Sequence, residues 1–258
     1  MRNRQGGFTI PELIVVLAVS LALSNLIIFF GFNFWRTAAL QQADQDTLIS
    51  RLNAGDLLRE NLGESSGLII QNGLPDSNTL NADPNQAGGQ YWVPIHAIPS
   101  HVLVGNSGTT TPLLYFRKYS VNTSKNIILN GTVPYEDEFV LYLNGTSKQL
   151  LMRSIANTNA PNNRLLSSCP LAIASSSCPA DKVVADNVAS IDSRYFSRNG
   201  TLLDYSSSTD PNTGNYNGPD FPVVEVIELT INLQVKAALE HTNSTQNSTV
   251  IRIALRNS

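Results

Sequence analysis

Glu12 is the first residue of this chain whose position needs a chemical explanation. It is the last charged residue before an uncharged, mostly apolar run from Leu13 to Trp35. An unpaired carboxylate in hydrocarbon costs roughly 2.5 kcal/mol or more, so acids within membrane segments usually have a partner and a function. We therefore treat Glu12 as a candidate site residue and expect another group to pair with it.

The cysteines are the second candidate for chemistry. Cys169 and Cys178 are the only two, and they lie in a Ser/Pro/Ala-rich stretch. Outside the membrane such a pair favours a disulfide that closes a small loop, with free thiols as the alternative. A zinc site would need two more ligands, and no histidine has matching spacing; the histidines are His96, His101 and His241.

Two acidic segments are weaker candidates. We expect Glu136-Asp137-Glu138 to be a solvated cluster before a strand rather than a pair of catalytic carboxylates. The oxygen-rich run from Asp204 to Asp220 allows a calcium loop, but its spacing departs from the EF-hand and an ordinary turn cluster explains it as well. The Asn-x-Ser/Thr sequons are those expected by chance in a chain rich in these residues. No catalytic motif is present, so we predict no enzyme, no cofactor and no metal site.

The apolar run after Glu12 predicts a membrane-spanning helix. Its 23 residues suffice at about 1.5 Å per residue to cross a core about 30 Å thick. Arg2 and Arg4 precede the run without any acid, which predicts a cytoplasmic amino terminus and an external chain after Trp35. The run is too long for a cleaved secretory signal. The sequence predicts a single-pass protein of the cytoplasmic membrane.

Residues Gly6 to Leu13 read GGFTIPEL. This stretch resembles the class III signal of type IV prepilins and type II secretion pseudopilins, whose pattern Gly-Phe-Thr-Leu-(Leu/Ile/Pro)-Glu-Leu it follows nearly residue for residue. The resemblance implies cleavage by prepilin peptidase between Gly7 and Phe8, N-methylation of Phe8, and subunit assembly in which Glu12 pairs with a neighbour's amino terminus. The alternative is a plain signal anchor with a chance match.

Beyond Trp35 the chain keeps a helical pattern but becomes amphipathic. Apolar or small residues recur at three- and four-residue spacing, which predicts a buried stripe: Leu48, Leu52, Gly55, Leu58 and Leu62. We predict one helix from about Pro11 to Leu62, stopped by Gly63. The predicted organisation is a leader over 1–7, a transmembrane and polymerisation helix over 8–35, a helix extension over 36–62 and an extracytoplasmic β-rich head over 63–258. A juxtamembrane stalk is the alternative for the extension.

The remaining chain carries β signals. Between Gly63 and Ser124 we expect a long surface loop over 75–89 and short strands near 91–95, 102–104 and 113–119. Phe139–Leu143 and Thr146–Ile155 flank Asn144-Gly145, the pair that favours a two-residue type I′ hairpin. Asn199-Gly200 is a second turn candidate. Strict alternation over 223–236 and 249–256 predicts two strands, each with one buried face.

The strand pattern is loosely similar to that of W-type minor pilins and J-type pseudopilins. That resemblance implies an α+β fold, a pilin-like lollipop in which the long N-terminal helix packs on an antiparallel β-sheet head. The segment Val19 to Phe30 lacks the Gly or Pro that major subunits usually carry, which favours a minor pilin or pseudopilin. The implied role is to initiate, prime or cap a type IV pilus or related filament.

The implied partners are other pilin subunits, prepilin peptidase, the inner-membrane assembly platform and membrane lipid. A membrane-anchored pilus adhesin, gripping a surface ligand with loops at 70–110 and 157–180, is an alternative, as is a DNA-uptake subunit. The chain has a net charge of −3, which falls to −5 once residues 1–7 with Arg2 and Arg4 are removed. This acidic balance argues against general nucleic-acid binding, so no nucleic-acid partner is expected.

Overall fold

A computed structural model describes residues 9–78, 86–87, 90–92, 101–103, 110–203, 224–234 and 246–255. Its largest element is helix α1, Ile10–Gly63. The prediction of one helix from Pro11 to Leu62 is confirmed to within a residue at each end. Ser65 closes the helix by donating from both its backbone nitrogen and its hydroxyl to the Leu62 carbonyl, at 3.1 and 2.7 Å.

The first of two larger sheets has five antiparallel strands in the order β1-β5-β8-β9-β10. Its members are β1 Gly67–Ile69, β5 Thr110–Tyr119, β8 Glu136–Asn144, β9 Gln149–Ile155 and β10 Lys182–Ala185. Its core side chains include the stacked rings of Phe116 and Phe139, whose centroids are 5.1 Å apart.

The second sheet joins β12, β11, β13 and β14 in that order, with β4 also pairing to β11. Its members are β4 His101–Leu103, β11 Val188–Phe196, β12 Leu202–Leu203, β13 Val226–Gln234 and β14 Gln246–Ala254. Two short pairs complete the described strands, β2 Gln86–Ala87 with β3 Tyr91–Trp92, and β6 Leu129–Asn130 with β7 Val133–Pro134. The fold class is therefore α+β, one long N-terminal apolar helix with antiparallel sheets.

The alternation predicted for the last two strands is confirmed. The inward set is at most 8% exposed, and it comprises Ile227, Leu229, Ile231, Leu233, Ile251, Ile253 and Leu255. Each residue between them on β13 is only partly buried. A period of two with one covered face produces this pattern. Val235 and Arg256, which the same pattern included, lie outside the described residues.

Both predicted hairpins form, but with longer connections than Asn-Gly alone implies. In the first, Asn144 pairs with Gln149, so four residues make the turn instead of two. The Asn144 carboxamide oxygen accepts hydrogen bonds from the backbone of Thr146 and Ser147, and Lys148 takes a positive φ of 55°. The predicted type I′ turn is therefore wrong, because Asn144 caps a wider turn with its side chain. In the second, five residues separate Phe196 from Leu202.

The predicted helix stripe is only partly correct. Ala54, Leu58 and Leu62 are at most 2% exposed, and Gly55 beside them is buried too. Leu48 and Leu52 are 51% and 59% exposed. The core side chains of the sheets cover only the last turns of α1, so the buried stripe begins about two turns later than the periodicity predicted.

Contact density divides the chain into two compact units. The boundary falls inside α1, with the described residues up to Asp46 in one unit and those from Thr47 onward in the other. Within the second unit, Arg51 donates to the Ser248 carbonyl at 2.8 Å and to the Thr249 hydroxyl. These bonds tie the helix to β14.

Candidate functional site

The apolar part of α1 is uncovered along its length. Every large apolar side chain from Ile10 to Trp35 is at least 52% exposed, and Ile10 and Phe34 reach 77%. Within the described residues α1 is the one helix long and apolar enough to cross a membrane. An apolar surface of this extent needs lipid or another helix to cover it.

Glu12 lies at the third helical position, one turn after Thr9. Its Oε2 accepts hydrogen bonds from the Thr9 backbone nitrogen at 2.9 Å and from the Thr9 hydroxyl at 2.8 Å. The Thr9 carbonyl accepts the helical bond from Leu13 at 3.1 Å, so Thr9 is the N-cap. A glutamate that reaches back to the N-cap nitrogen is half of a capping box. Glu12 therefore has a partner within its own chain.

Two hydroxyl groups in and next to the apolar run bond to the preceding turn of the helix. The Ser24 hydroxyl donates to the Ser20 carbonyl at 2.8 Å, and the Thr37 hydroxyl, just beyond the run, donates to Asn33 at 2.9 Å. Such bonds to the preceding turn let hydroxyl groups enter hydrocarbon without an external partner.

Several predicted positions cannot be located. The leader residues, Gly7 and Phe8 among them, lie outside the described residues, as do the calcium candidate Asp204–Asp220 and the side chains of His96, His101 and His241. Within the described part of the chain, no three His, Cys, Asp or Glu residues are arranged to hold a metal ion.

The acidic trio 136–138 is not the solvated cluster that the sequence predicted. All three residues belong to β8, and Asp137 and Glu138 are only 3% and 2% exposed. Glu138 accepts from the backbone of Gly73 and Leu74 at 2.7 and 2.8 Å and from Arg117 at 3.0 Å. Glu138 thus binds the chain that follows the helix, whereas Asp137 accepts from the Asn157 backbone at 2.8 Å and the Asn163 carboxamide at 2.7 Å. Buried carboxylates need such donors.

A buried polar cluster, which sequence reasoning missed, surrounds Arg153 on β9. Its guanidinium donates to both carboxylate oxygens of Asp181, at 2.7 and 3.1 Å, and to Asp76 at 3.1 Å. The two acids accept further hydrogen bonds. The Trp92 indole donates to Asp76 at 3.0 Å, and the hydroxyls of Tyr142 and Ser168 donate to Asp181, both at 2.6 Å. We call these six residues the Arg153 centre. Asp76, placed by prediction in a surface loop, is 1% exposed.

The electrostatics of the Arg153 centre keep Arg153 charged and Tyr142 protonated. Burial alone would lower the pKa of Arg153, but the hydrogen bonds and charge of Asp181, followed by the charge of Asp76, raise that pKa above its usual range. Burial first, and the Asp181 charge second, raise the pKa of Tyr142 above its usual range, so its hydroxyl stays protonated and donates. The groups of the centre satisfy one another's charges and hydrogen bonds, so we interpret the centre as structural. The sequence signal that could have indicated this centre is an arginine within the apolar run of β9.

Cys169 and Cys178 are joined by a disulfide, with Cα atoms 5.8 Å apart. The loop they close contains a short 3₁₀ helix, Leu171–Ile173, and Leu171 is 82% exposed. The Cys169 backbone nitrogen donates to the Pro179 carbonyl at 2.9 Å, and the Asp181 backbone nitrogen donates to the Cys169 carbonyl at 2.9 Å. The disulfide loop is thereby fastened directly beside the Arg153 centre.

No sequence profile of a known protein family matches this chain, and a search of curated proteins finds no relative for it.

Proposed function

We propose that this chain is a prepilin-like structural subunit, a minor pilin or pseudopilin without enzymatic activity. In this proposal prepilin peptidase cleaves after Gly7, Phe8 becomes the methylated amino terminus, and α1 passes from membrane lipid into a filament. The head faces outward, and the subunit initiates, primes or caps a type IV pilus or related filament at the cell surface. The observation that carries the proposal is the GGFTIPEL segment placed at the start of an uncovered apolar helix.

The position of Glu12 supports this role. A carboxylate at the third helical position lies near the positive end of the helix dipole and adjacent to the amino terminus that cleavage would create. On assembly, Glu12 would exchange its hydrogen bonds from Thr9 for an ion pair with the cationic amine of a neighbouring subunit, in the low-dielectric core of the filament.

Mass spectrometry of the N-terminal peptide tests the proposal. Full-length protein is isolated from membranes of cells with active prepilin peptidase. We expect a peptide that begins at Phe8. Gly7→Val should leave an intact amino terminus, because a side chain next to the scissile bond obstructs the extended backbone. Gly6→Ala is the matched control and should still be cut. An uncut wild-type protein, or equal cleavage of Gly7→Val, would contradict the proposal.

A membrane-anchored adhesin is the second candidate, and the disulfide loop favours it. Leu171 and Ile173 are 82% and 47% exposed at the loop surface, and exposed apolar side chains in a fixed loop can contact a ligand. Full-length protein in nanodiscs should then bind target cells, and Leu171→Ser with Ile173→Ser should abolish binding without changing Phe8 processing.

A further inference from the structure

A cleft of about 460 Å³ lies between the end of α1 and the segments 164–168 and 179–182. Its volume lies within the range of roughly 300 to 1,000 Å³ that is usual for ligand sites. We call it the basic cleft and define it by Lys118, Phe139, Met152, Arg164, Leu165 and Lys182. All of these residues belong to the second compact unit.

The charge that lines the basic cleft has one sign. Lys118, Arg164 and Lys182 come from three separate segments, and none of the lining residues is acidic. Lys118 is already paired with Glu64 at 2.7 Å. Arg164 and Lys182 are exposed, and neither forms an ion pair with any residue in the described part of the chain. Two cations therefore remain available on a chain whose net charge is −3.

The floor of the cleft is apolar. Phe139 and Met152 lie at its base and are only 7% and 6% exposed, and Leu165 packs against the hydrophobic core from the side. Leu166 forms part of the wall and is 50% exposed. Because Phe139 and Met152 are almost fully buried, the apolar surface still open in the cleft is mainly that of Leu165 and Leu166. An inorganic anion would leave this surface unused, whereas an apolar side chain would cover it.

We propose that the basic cleft binds an acidic peptide segment of a partner protein. Two carboxylates of the segment pair with Arg164 and Lys182, and an apolar side chain between them lies against Leu165 and Leu166. Both cations are exposed at the rim, so a protein surface can reach them without opening the fold. This inference is independent of prepilin processing and of filament assembly.

Fluorescence anisotropy of a labelled pentapeptide, Glu-Leu-Glu-Leu-Glu, tests the assignment on full-length protein in nanodiscs, titrated up to about 1 mM. Arg164→Gln with Lys182→Gln should weaken binding roughly tenfold, since each exposed ion pair contributes modestly. Arg194→Gln with Arg198→Gln is the charge-matched control, because these exposed side chains lie outside the cleft. Leu166→Ser should weaken binding as well, and added salt should weaken it for the wild type.

Four results would overturn the proposal. The first is the absence of saturable binding over this range. The second is an equal loss of binding in the control pair of variants. The third is equal binding of a peptide with glutamine in place of glutamate. The fourth is displacement of the peptide by an equal concentration of octanoate, which would assign the cleft to a free organic acid.

Discussion

At the scale of single residues, Glu12 caps its own helix by accepting two hydrogen bonds from Thr9. It is also the acid proposed to pair with a neighbouring subunit. Glu12→Gln keeps an acceptor for the Thr9 nitrogen and removes only the charge. We expect Glu12→Gln and Glu12→Ala to be processed at Phe8 and to be absent from sheared filaments, because the partner proposed for Glu12 is a cation. Immunoblots of the filament and membrane fractions measure this.

Thr9→Val is the control for that experiment. It removes the hydroxyl bonded to Glu12 but leaves the backbone nitrogen and the charge, so assembly should persist. Normal incorporation of Glu12→Gln would show that Glu12 acts only as a helix cap.

Arg153 is the cation shared by two buried carboxylates. Arg153→Met leaves Asp76 and Asp181 buried without their cation, and removing one partner of a buried ionic cluster typically costs about 3–5 kcal/mol. Urea unfolding of the detergent-solubilised protein measures the loss. Arg194→Met, at an exposed pair with Glu228, should cost less than about 1 kcal/mol. Equal losses for the two variants would contradict a central role for Arg153.

Tyr142 makes the free energy of unfolding depend on pH in the alkaline range. Its pKa is raised in the folded protein, whereas an unfolded tyrosine titrates near 10. The resulting stabilisation is fully present below about pH 10 and is lost as pH rises above it, because the unfolded chain then releases a proton that the folded chain retains. Melting temperatures from pH 7 to 11 should fall less steeply for Tyr142→Phe. Tyr91→Phe, at a partly exposed position, should keep the wild-type slope.

At the scale of elements, α1 changes character along its length. Leu58 is 1% exposed and packs in the core, whereas Leu52, six positions earlier, is 59% exposed. Leu58→Ala should lower the free energy of unfolding by about 2–5 kcal/mol, the usual cost of a buried cavity. Leu52→Ala should change it by less than about 0.5 kcal/mol. Circular dichroism melts distinguish them, and a large loss for Leu52→Ala would place another covering surface over that turn.

The hairpins show how far local patterns reach. Phe139–Leu143 and the strand after it were predictable, since a run of strand-forming apolar residues and a turn signal lie next to each other in the chain. The length of the turn was not, because Asn144 could either enter a tight turn or cap a wider one with its carboxamide. That choice depends on the register of the paired strands, which Asn-Gly by itself does not determine.

At the scale of the whole molecule, the oxidation state of the two cysteines can be used to test on which side of the membrane the β-rich part of the chain lies. Disulfides form in oxidising compartments outside the cytoplasm, so exported protein should resist maleimide-polyethylene glycol after denaturation until it is reduced. A variant that lacks residues 10–35 should stay in the cytoplasm and react at both cysteines. Gel mobility measures this, and the Cys169→Ser, Cys178→Ser double variant gives the unshifted reference. A reactive wild-type protein would place this part of the chain inside.

Local patterns in the chain were enough to predict the long helix, the two alternating strands and the apolar segment able to span a membrane. Each follows from a period or a run within one stretch of chain, where neighbouring residues carry the information. The burial of Asp76, Asp137, Glu138 and Arg153, and the exposure of Leu48 and Leu52, depend on the tertiary structure. A charge is usually read as exposed, and whether it is buried depends on donors that arrive from distant segments. For Arg153 those partners lie 77 and 28 residues away in the chain.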